Sequence, residues 1–337
     1  MRLPLPADFD LAWTLGFLAA RTVPSMEAVA DGPSGKAGEP LEYRRSLRTD
    51  GQVVTLAVRA RRSRSGDALE VRTAPALSAR EVRRLVVRMF DLDAELGGFR
   101  SLAAADPMLS RIVPRRPGIR LPQFLDPFEG IVRAIVGQQV SVAGAATLLD
   151  RLVRLLGEPA PPLDGHRFLA FPSPAAVASA SPEALGATGQ TRARVAALQG
   201  VAATVLDGRL DWERLRNGTA EESHATLVAL PGIGPWTASY VRMRTLGDRD
   251  AFPASDLGVI KALRVLTPQG DRITLSEITA LGERWRPWRG YATLHLWNSL
   301  GVMPPAAGPA VSADRSTEGG RSSSSSESGP SRRRSRR

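Results

Sequence analysis

Residues 227–241 have the sequence LVALPGIGPWTASYV, and this stretch decides the fold of the second part of the chain. An apolar segment enters a Pro-Gly-Ile-Gly turn, and a second apolar segment leaves it. Gly232 and Gly234 tolerate positive φ angles and close approach of another backbone. Pro235 suits the first turn of a helix, because its missing N–H would have no partner there. The stretch therefore predicts a helix-hairpin-helix.

The start of the second predicted helix is a candidate phosphate site. Its first backbone N–H groups have no partner within the helix, so they can bind a DNA phosphate. A plain turn between two packed helices is the alternative, because short glycine turns are common. The next segment of the sequence favours DNA binding over this alternative.

That segment, residues 251–261, has the sequence AFPASDLGVIK. Asp256 follows a short loop containing Pro253 and opens an apolar helix. An aspartate in front of an apolar run is usually an N-cap, and Asp256 taken alone has this simple interpretation. Beside a hairpin that binds DNA, the same residue is also a candidate catalytic carboxylate.

The charge of the 337-residue chain points to an acidic partner. Lys and Arg number 45 against 34 Asp and Glu, which gives a net charge of +11, and Lys36 and Lys261 are the only lysines. Nucleic acid is the first candidate for such a partner.

Residues 304–337 are rich in serine and arginine, a composition that predicts a disordered basic tail. The tail carries +4 and leaves +7 on residues 1–303, so the globular part is basic by itself. The tail is either a solvated linker or an arm that adds salt-sensitive DNA affinity.

The composition also excludes several classes of protein. With no cysteine, the chain cannot form disulfides, thiolate zinc sites or cysteine-bound iron–sulfur clusters. Its three histidines are widely separated and lack the HExxH pattern, which argues against a histidine metal site. No apolar run approaches the ~18 residues of a membrane helix. We therefore expect a soluble, cytoplasmic protein without a membrane partner.

The sequence predicts an α+β fold in three parts. Residues 1–103 show short strand patterns at 41–47, 53–60 and 69–73, separated by turns at 50–51 and 65–67, and a capping box at Ser78 opens a helix. A small antiparallel sheet with helices is expected there. Residues 104–303 show no convincing strand pattern and predict an all-helical body, with helices at 128–137, 140–156 and 191–206, a helix starting at Ser181-Pro182, and another from Thr274 to near Trp285. Residues 304–337 form the tail.

Several segments, occurring in the same order along the chain, resemble one protein family. They are residues 13–21 (WTLGFLAAR), 120–122 (RLP), 137–141 (GQQVS), 283–289 (ERWRPWR) and 291–297 (YATLHLW), together with the hairpin and its aspartate. This set resembles the helix-hairpin-helix DNA glycosylases, most closely the AlkA-type 3-methyladenine DNA glycosylase II branch. The resemblance covers most of residues 1–303.

The resemblance implies a monofunctional DNA glycosylase of base excision repair. Such an enzyme flips an alkylated, cationic purine such as 3-methyladenine out of double-stranded DNA, hydrolyses its N-glycosidic bond and leaves an abasic site. An aromatic pocket stacks on the base and attracts its positive charge. The enzyme is expected to act as a monomer, to require no cofactor and, in a bacterium, to associate with the nucleoid. With no cysteine-rich alkyl-transfer or regulatory module, a stand-alone repair enzyme is expected.

Particular residues take roles by this resemblance. Asp256 is the expected catalytic carboxylate, either stabilising positive charge on the sugar or orienting a water molecule. Trp236 and Tyr240, four residues apart on one helix face, line the base pocket with Trp297 and Phe17. Core packing is the alternative for each of these aromatic residues, including Phe17.

The DNA-binding residues form a second expected set, namely Gly232, Gly234, Thr237, Gln138 and Gln139. Gln139 stands where AlkA-type enzymes place an apolar side chain that intercalates, so a polar residue would fill the gap here. The resemblance also implies a monovalent cation, Na⁺ or K⁺, bound by the backbone carbonyls of Val228, Leu230 and Gly232.

A lyase activity is not expected. Related glycosylase-lyases use a lysine early in the helix after the hairpin, where this chain has Pro235-Trp236-Thr237. Lys261, five residues beyond Asp256, lies off the aspartate's helical face. Two other functions remain open: a non-catalytic helix-hairpin-helix DNA-binding protein, in which Asp256 is only a cap, and a glycosylase for oxidised or deaminated purines. The aromatic cleft would also suit hypoxanthine or ethenoadenine.

Overall fold

The structure is a computed structural model that describes residues 1–31, 41–61 and 66–301. Ser65, which begins the predicted turn at 65–67, and the predicted tail at 304–337 lie outside the described residues.

The N-terminal part is built on a five-stranded antiparallel sheet. Its strands are β1 (Arg2–Pro4), β2 (Glu27–Asp31), β3 (Leu41–Thr49), β4 (Gln52–Arg61) and β5 (Ala68–Ala74), in the spatial order β1-β5-β4-β3-β2. The three predicted strands are confirmed as β3, β4 and β5. β1 and β2 escaped prediction because they are three and five residues long and carry no clear alternation of apolar and polar residues.

Fifteen α-helices occur in the described residues. They are α1 (Leu11–Ala19), α2 (Ala79–Phe90), α3 (Gly97–Ala105), α4 (Leu109–Ile112), α5 (Pro127–Val136), α6 (Val142–Leu156), α7 (Pro174–Ser179), α8 (Pro182–Ala187), α9 (Arg192–Leu206), α10 (Trp212–Asn217), α11 (Ala220–Val228), α12 (Pro235–Val241), α13 (Leu257–Leu266), α14 (Leu275–Glu283) and α15 (Arg289–Ser299). No strand follows β5 in the described residues. The predicted α+β class, with an all-helical body, is therefore confirmed.

Local sequence signals set the helix starts. Ser78 and Thr274 form the predicted capping boxes of α2 and α14, and Ser181 and Thr191 cap α8 and α9 through their hydroxyl groups. Each side chain satisfies a backbone N–H that the first turn leaves without a partner. The start of a helix is thus readable from its own few residues.

One buried core cluster contains residues from both sides of the predicted domain boundary between residues 103 and 104. One buried cluster packs Trp13, Phe17 and Phe99 from the N-terminal part against Trp285 and Tyr291 near the end of the body. The division into residues 1–103 and 104–303 stays a prediction. What the packing does establish is that α1 lies against the helices that carry the candidate site.

A buried network of charges joins the sheet to α5. Arg45 donates to Glu129 at 2.5 Å, and Arg133 donates to Glu129 at 2.8 Å and to Glu27 at 2.5 Å. The side chains of Glu27, Glu129, Arg45 and Arg133 are all less than a tenth exposed. Burial alone would raise the pKa of Glu27, but Arg133 and Arg45 hold it below its usual range. A buried charge is tolerated only when it is paired in this way.

None of the helices in the described ranges combines the length and apolar composition that crossing a membrane requires.

The buried network gives a first prediction. Glu129→Ala should lower the free energy of unfolding by about 3–5 kcal/mol, because it leaves Arg45 and Arg133 buried without a shared partner. Glu70→Ala is the matched control: Glu70 pairs with Arg61 at 2.6 Å, but both side chains are more than a third exposed, so the expected loss is about 0–1 kcal/mol. Urea unfolding of the two variants measures the difference, and equal losses would contradict the prediction.

Candidate active site

The predicted helix-hairpin-helix is present. α11 ends at Val228, residues 229–234 make the turn, and α12 begins at Pro235. Gly232 has φ +76°, and a Cβ there would lie 2.6 Å from the Cβ of Ala197. Gly234 is the N-cap of α12, and no side chain caps this helix start. Gly232, Gly234 and Pro235 are exposed, so the position predicted to bind a phosphate lies at the surface of the protein.

Asp256 is the N-cap of α13, and its carboxylate is also tied to two tryptophans. Oδ1 accepts from the backbone N–H groups of Gly258 at 2.8 Å and Val259 at 3.1 Å. The indole Nε1 of Trp297 donates to the same oxygen at 2.8 Å, and Nε1 of Trp236 donates to Oδ2 at 2.9 Å. The cap interpretation therefore holds, and the half-buried carboxylate faces the aromatic residues as well. Its catalytic role stays a prediction.

Three of the four predicted pocket aromatics form one half-buried cleft. Trp236 and Tyr240 stack with ring centroids 5.4 Å apart, and Tyr240 lies 6.4 Å from Trp297. All three rings are partly exposed. The structure thus brings Trp236, Tyr240 and Trp297 together around Asp256, although residue 297 is 41 residues from the aspartate.

Phe17 lies behind this cleft and does not line it. Its side chain is 1% exposed. Trp13 stacks with it at 5.0 Å, and the guanidinium carbon of Arg21 lies 3.7 Å from its ring centroid. Trp297 is 6.3 Å away. With Trp13 and Arg21 against its ring, Phe17 offers no free face to a base in this structure, which agrees with the core-packing alternative.

Two arginines at the cleft, Arg244 and Arg21, were not predicted from the sequence. Arg244 is 1% exposed, and its Nη1 donates to the hydroxyl of Tyr240 at 3.3 Å. Burial lowers the pKa of Arg244 and lowers the pKa of Arg21 to about 10. The spacing held a signal for both, since Arg244 follows Tyr240 by four residues and Arg21 follows Phe17 by four.

The loop between α5 and α6 is fixed against the hairpin through Gln138. Its side-chain Nε2 donates to the carbonyl of Gly232 and to Oγ1 of Thr237, both at 2.9 Å. The backbone carbonyl of Gln138 accepts from Arg194. Thr237 is 2% exposed, so its hydroxyl faces Gln138 and not solvent. Gln139 is exposed, with φ +54°. The loop therefore presents Gln139 outward beside the hairpin.

Two of the three carbonyl groups expected to bind a monovalent cation accept hydrogen bonds in this structure. The Gly232 carbonyl accepts from Gln138, and the Leu230 carbonyl accepts from the N–H of Ile233 at 3.1 Å. In residues 1–31, 41–61 and 66–301, no three His, Asp or Glu side chains converge on a point that suits a metal ion. Binding of a cation by Val228, Leu230 and Gly232 stays a prediction, because each carbonyl oxygen has two lone pairs, and no step proposed below uses a cation.

Comparison with known proteins identifies the class of protein to which this fold belongs. Residues 1–126 match the AlkA N-terminal domain, and residues 132–287 match the HhH-GPD superfamily base excision DNA repair protein. A 3-methyladenine DNA-glycosylase from Archaeoglobus fulgidus superposes with a TM-score of 0.74 at 25% identity, covering 88% of this chain and 97% of that one. An 8-oxoguanine glycosylase/lyase from Clostridium acetobutylicum has a TM-score of 0.68 at 20% identity, covering 86% and 91%, and shows the fold alone.

Proteins with similar sequences identify the family within this class. The chain is 36% identical over 301 residues to DNA-3-methyladenine glycosylase 2 of Escherichia coli, covering 89% of this chain and 97% of that protein. It is 38% identical over 309 residues to the probable bifunctional transcriptional activator/DNA repair enzyme AlkA of Mycobacterium tuberculosis, but it spans 57% of that protein's length. The chain belongs to the AlkA-type DNA-3-methyladenine glycosylase family.

The hairpin gives a second prediction. Gly232→Ala should lower the free energy of unfolding by about 1–3 kcal/mol, because alanine at a positive φ is strained and its Cβ would meet Ala197. Gly234→Ala is the matched control, since its φ is −88° and a Cβ there meets nothing within 4 Å. Its expected loss is below about 1 kcal/mol, the difference between glycine and alanine at an N-cap. Thermal unfolding compares the two, and the opposite order would refute the prediction.

Proposed function

We propose that the protein is a monofunctional DNA glycosylase that releases alkylated, cationic purines such as 3-methyladenine from double-stranded DNA and leaves an abasic site. One observation carries the proposal: the Asp256 carboxylate accepts hydrogen bonds from both indoles of the aromatic cleft. The family relationship supports the same activity. In this proposal the enzyme acts as a monomer and needs no cofactor.

The cleft suits a base that has left the DNA helix. Extruding a nucleotide costs a few kcal/mol of lost stacking and pairing, and stacking in a pocket offsets this cost. The faces of Trp236, Tyr240 and Trp297 also attract a cationic base by about 0.5–2 kcal/mol. An alkylated purine therefore gains more from this cleft than an unmodified base does.

The hairpin and the adjoining loop would hold the DNA. The first N–H groups of α12, which no side chain caps, would bind a backbone phosphate. Gln139, exposed at the tip of its loop, would fill the space that the extruded nucleotide leaves. Gln138 joins this loop to the hairpin, so it would hold Gln139 in a fixed position relative to the phosphate contact at α12.

Asp256 would act on the sugar. As the bond between C1′ and the base nitrogen breaks, the electron pair leaves with the base and positive charge develops on the sugar. Oδ1 already accepts three hydrogen bonds, whereas Oδ2 accepts one, from Trp236. Oδ2 therefore retains a lone pair for the sugar or for a water molecule. The water oxygen bonds to C1′ and its proton passes to solvent, while a cationic base departs as a neutral molecule and needs no acid.

The first test of this function is Asp256→Asn. Release of 3-methyladenine or 7-methylguanine should fall by about 100-fold or more under single-turnover conditions, because the carboxylate charge opposite the sugar is lost. Asp211→Asn is the matched control, since Asp211 is also an N-cap, of α10, and lies on the exposed surface. Asparagine caps as well as aspartate, so this variant should keep wild-type activity.

Each other outcome has a definite meaning. If Asp256→Asn retains its rate within a few-fold, Asp256 is only a cap and its catalytic role is refuted. If the wild-type protein binds DNA but releases no base from alkylated duplexes, the protein is a non-catalytic DNA-binding protein.

The second test concerns lyase chemistry. No amine is available at the start of α12, and Lys261, the lysine among the described residues, is exposed on α13. Borohydride added during turnover should therefore trap no covalent protein–DNA adduct, because such trapping requires a Schiff base with the sugar. Strand cleavage should appear only after alkali. A trapped adduct would contradict the monofunctional assignment.

A further inference from the structure

Arg21 occupies the place at the cleft that the sequence interpretation gave to Phe17. Its guanidinium carbon lies 3.7 Å from the Phe17 ring centroid and 6.0 Å from that of Trp297. Phe17 is 1% exposed, whereas Arg21 is partly exposed. A base stacked beside Trp297 would thus meet a guanidinium group from the N-terminal part of the chain, and not a phenyl ring.

The guanidinium group of Arg21 keeps donors for a ligand. Its Nη1 donates to the Phe17 carbonyl at 3.1 Å. A guanidinium group has five N–H donors, so several remain. No ion pair in the described ranges involves Arg21, whereas Arg116 and Arg133 each pair with a carboxylate.

The charges around Arg21 are those of the cleft itself. Burial lowers its pKa to about 10, and the charges that act on it belong to Tyr240, Arg244 and Asp256. Arg244 adds a second guanidinium group behind the same rings, 4.7 Å from the Phe17 centroid. The cleft therefore combines the Asp256 carboxylate with the guanidinium groups of Arg21 and Arg244.

We propose that Arg21 is a specificity-determining residue that hydrogen-bonds the extruded base and favours the release of neutral purine lesions, for which the deaminated base hypoxanthine is the test case. This inference rests on the proposed glycosylase function. Neutral lesions with carbonyl or ring-nitrogen acceptors are the chemical class that N–H donors recognise. A cationic alkylpurine gains no comparable benefit, because Arg21 carries the same sign of charge.

The benefit arises as the base leaves. When the bond from C1′ to the nitrogen of a neutral purine breaks, the electron pair stays on the purine, which departs as an anion. The positive guanidinium group of Arg21 stabilises this anion until solvent protonates it. For a cationic purine the same electron pair neutralises the base, and no anion forms.

The test compares two lesions in one variant. Arg21→Gln and wild type are assayed for release of hypoxanthine and of 7-methylguanine, each placed singly in the same duplex, with enzyme in excess. Hypoxanthine release should fall by about 100-fold, as on removing one donor to a developing anion. Release of 7-methylguanine should rise, because a like charge is removed. Arg21→Lys keeps the charge and should recover part of the hypoxanthine activity.

Two further variants separate this role from folding. Phe17→Leu removes the ring against which the Arg21 guanidinium group packs, so it should lower hypoxanthine release more than release of 7-methylguanine, as Arg21→Gln does. Arg154→Gln removes an exposed arginine on α6 that pairs with Asp150 and should change neither. Thermal unfolding identifies any variant that is not folded, and the comparison then rests on Arg21→Lys.

The outcomes distinguish this inference from the proposed function. Equal losses for both lesions in Arg21→Gln would make Arg21 structural and overturn the inference. Wild-type enzyme that releases 7-methylguanine but not hypoxanthine would also overturn it, leaving the proposed function intact. Wild-type enzyme that releases neither base would instead refute the proposed function.

Discussion

The Asp256 carboxylate orients the two tryptophan side chains that line the aromatic cleft. It accepts two backbone N–H groups of α13 and the indole N–H groups of Trp236 on α12 and Trp297 on α15. Hydrogen bonds to an ionised acceptor are about twice as strong as neutral ones and fix direction as well as distance. Three helices from different parts of the chain are therefore held around one charged group.

The sheet contributes to this cleft through α5. The buried pairs of Glu129 and Glu27 with Arg45 and Arg133 hold α5 against β2 and β3. The loop after α5 carries Gln138, which reaches the hairpin at Gly232 and Thr237. A continuous set of contacts thus runs from the N-terminal sheet to the turn of the helix-hairpin-helix. The N-terminal part also supplies Arg21, so it borders the cleft as well as supporting it.

Much of the fold could be predicted because its signals are local. The capping residues Ser78 and Thr274 mark helix starts within one turn, and the hairpin sequence contains its own turn chemistry. β1 and β2 could not be predicted, since their pairing partners lie 64 to 68 and 10 to 18 residues away and their own residues carry little pattern. A short strand is defined by the strand beside it.

The sequence by itself determined the hairpin, the cap at Asp256 and the shared face of Trp236 and Tyr240, because each depends on residues within one or two helical turns. Only the tertiary structure decided that Trp297 meets Asp256, that Gln138 turns inward while Gln139 faces solvent, and that Arg21 covers Phe17 at the cleft. These contacts join or orient distant segments, and their geometry follows from how α1, α5, α12, α13 and α15 pack together. Side-chain direction at such contacts is set by close packing of the whole core, which no single segment encodes.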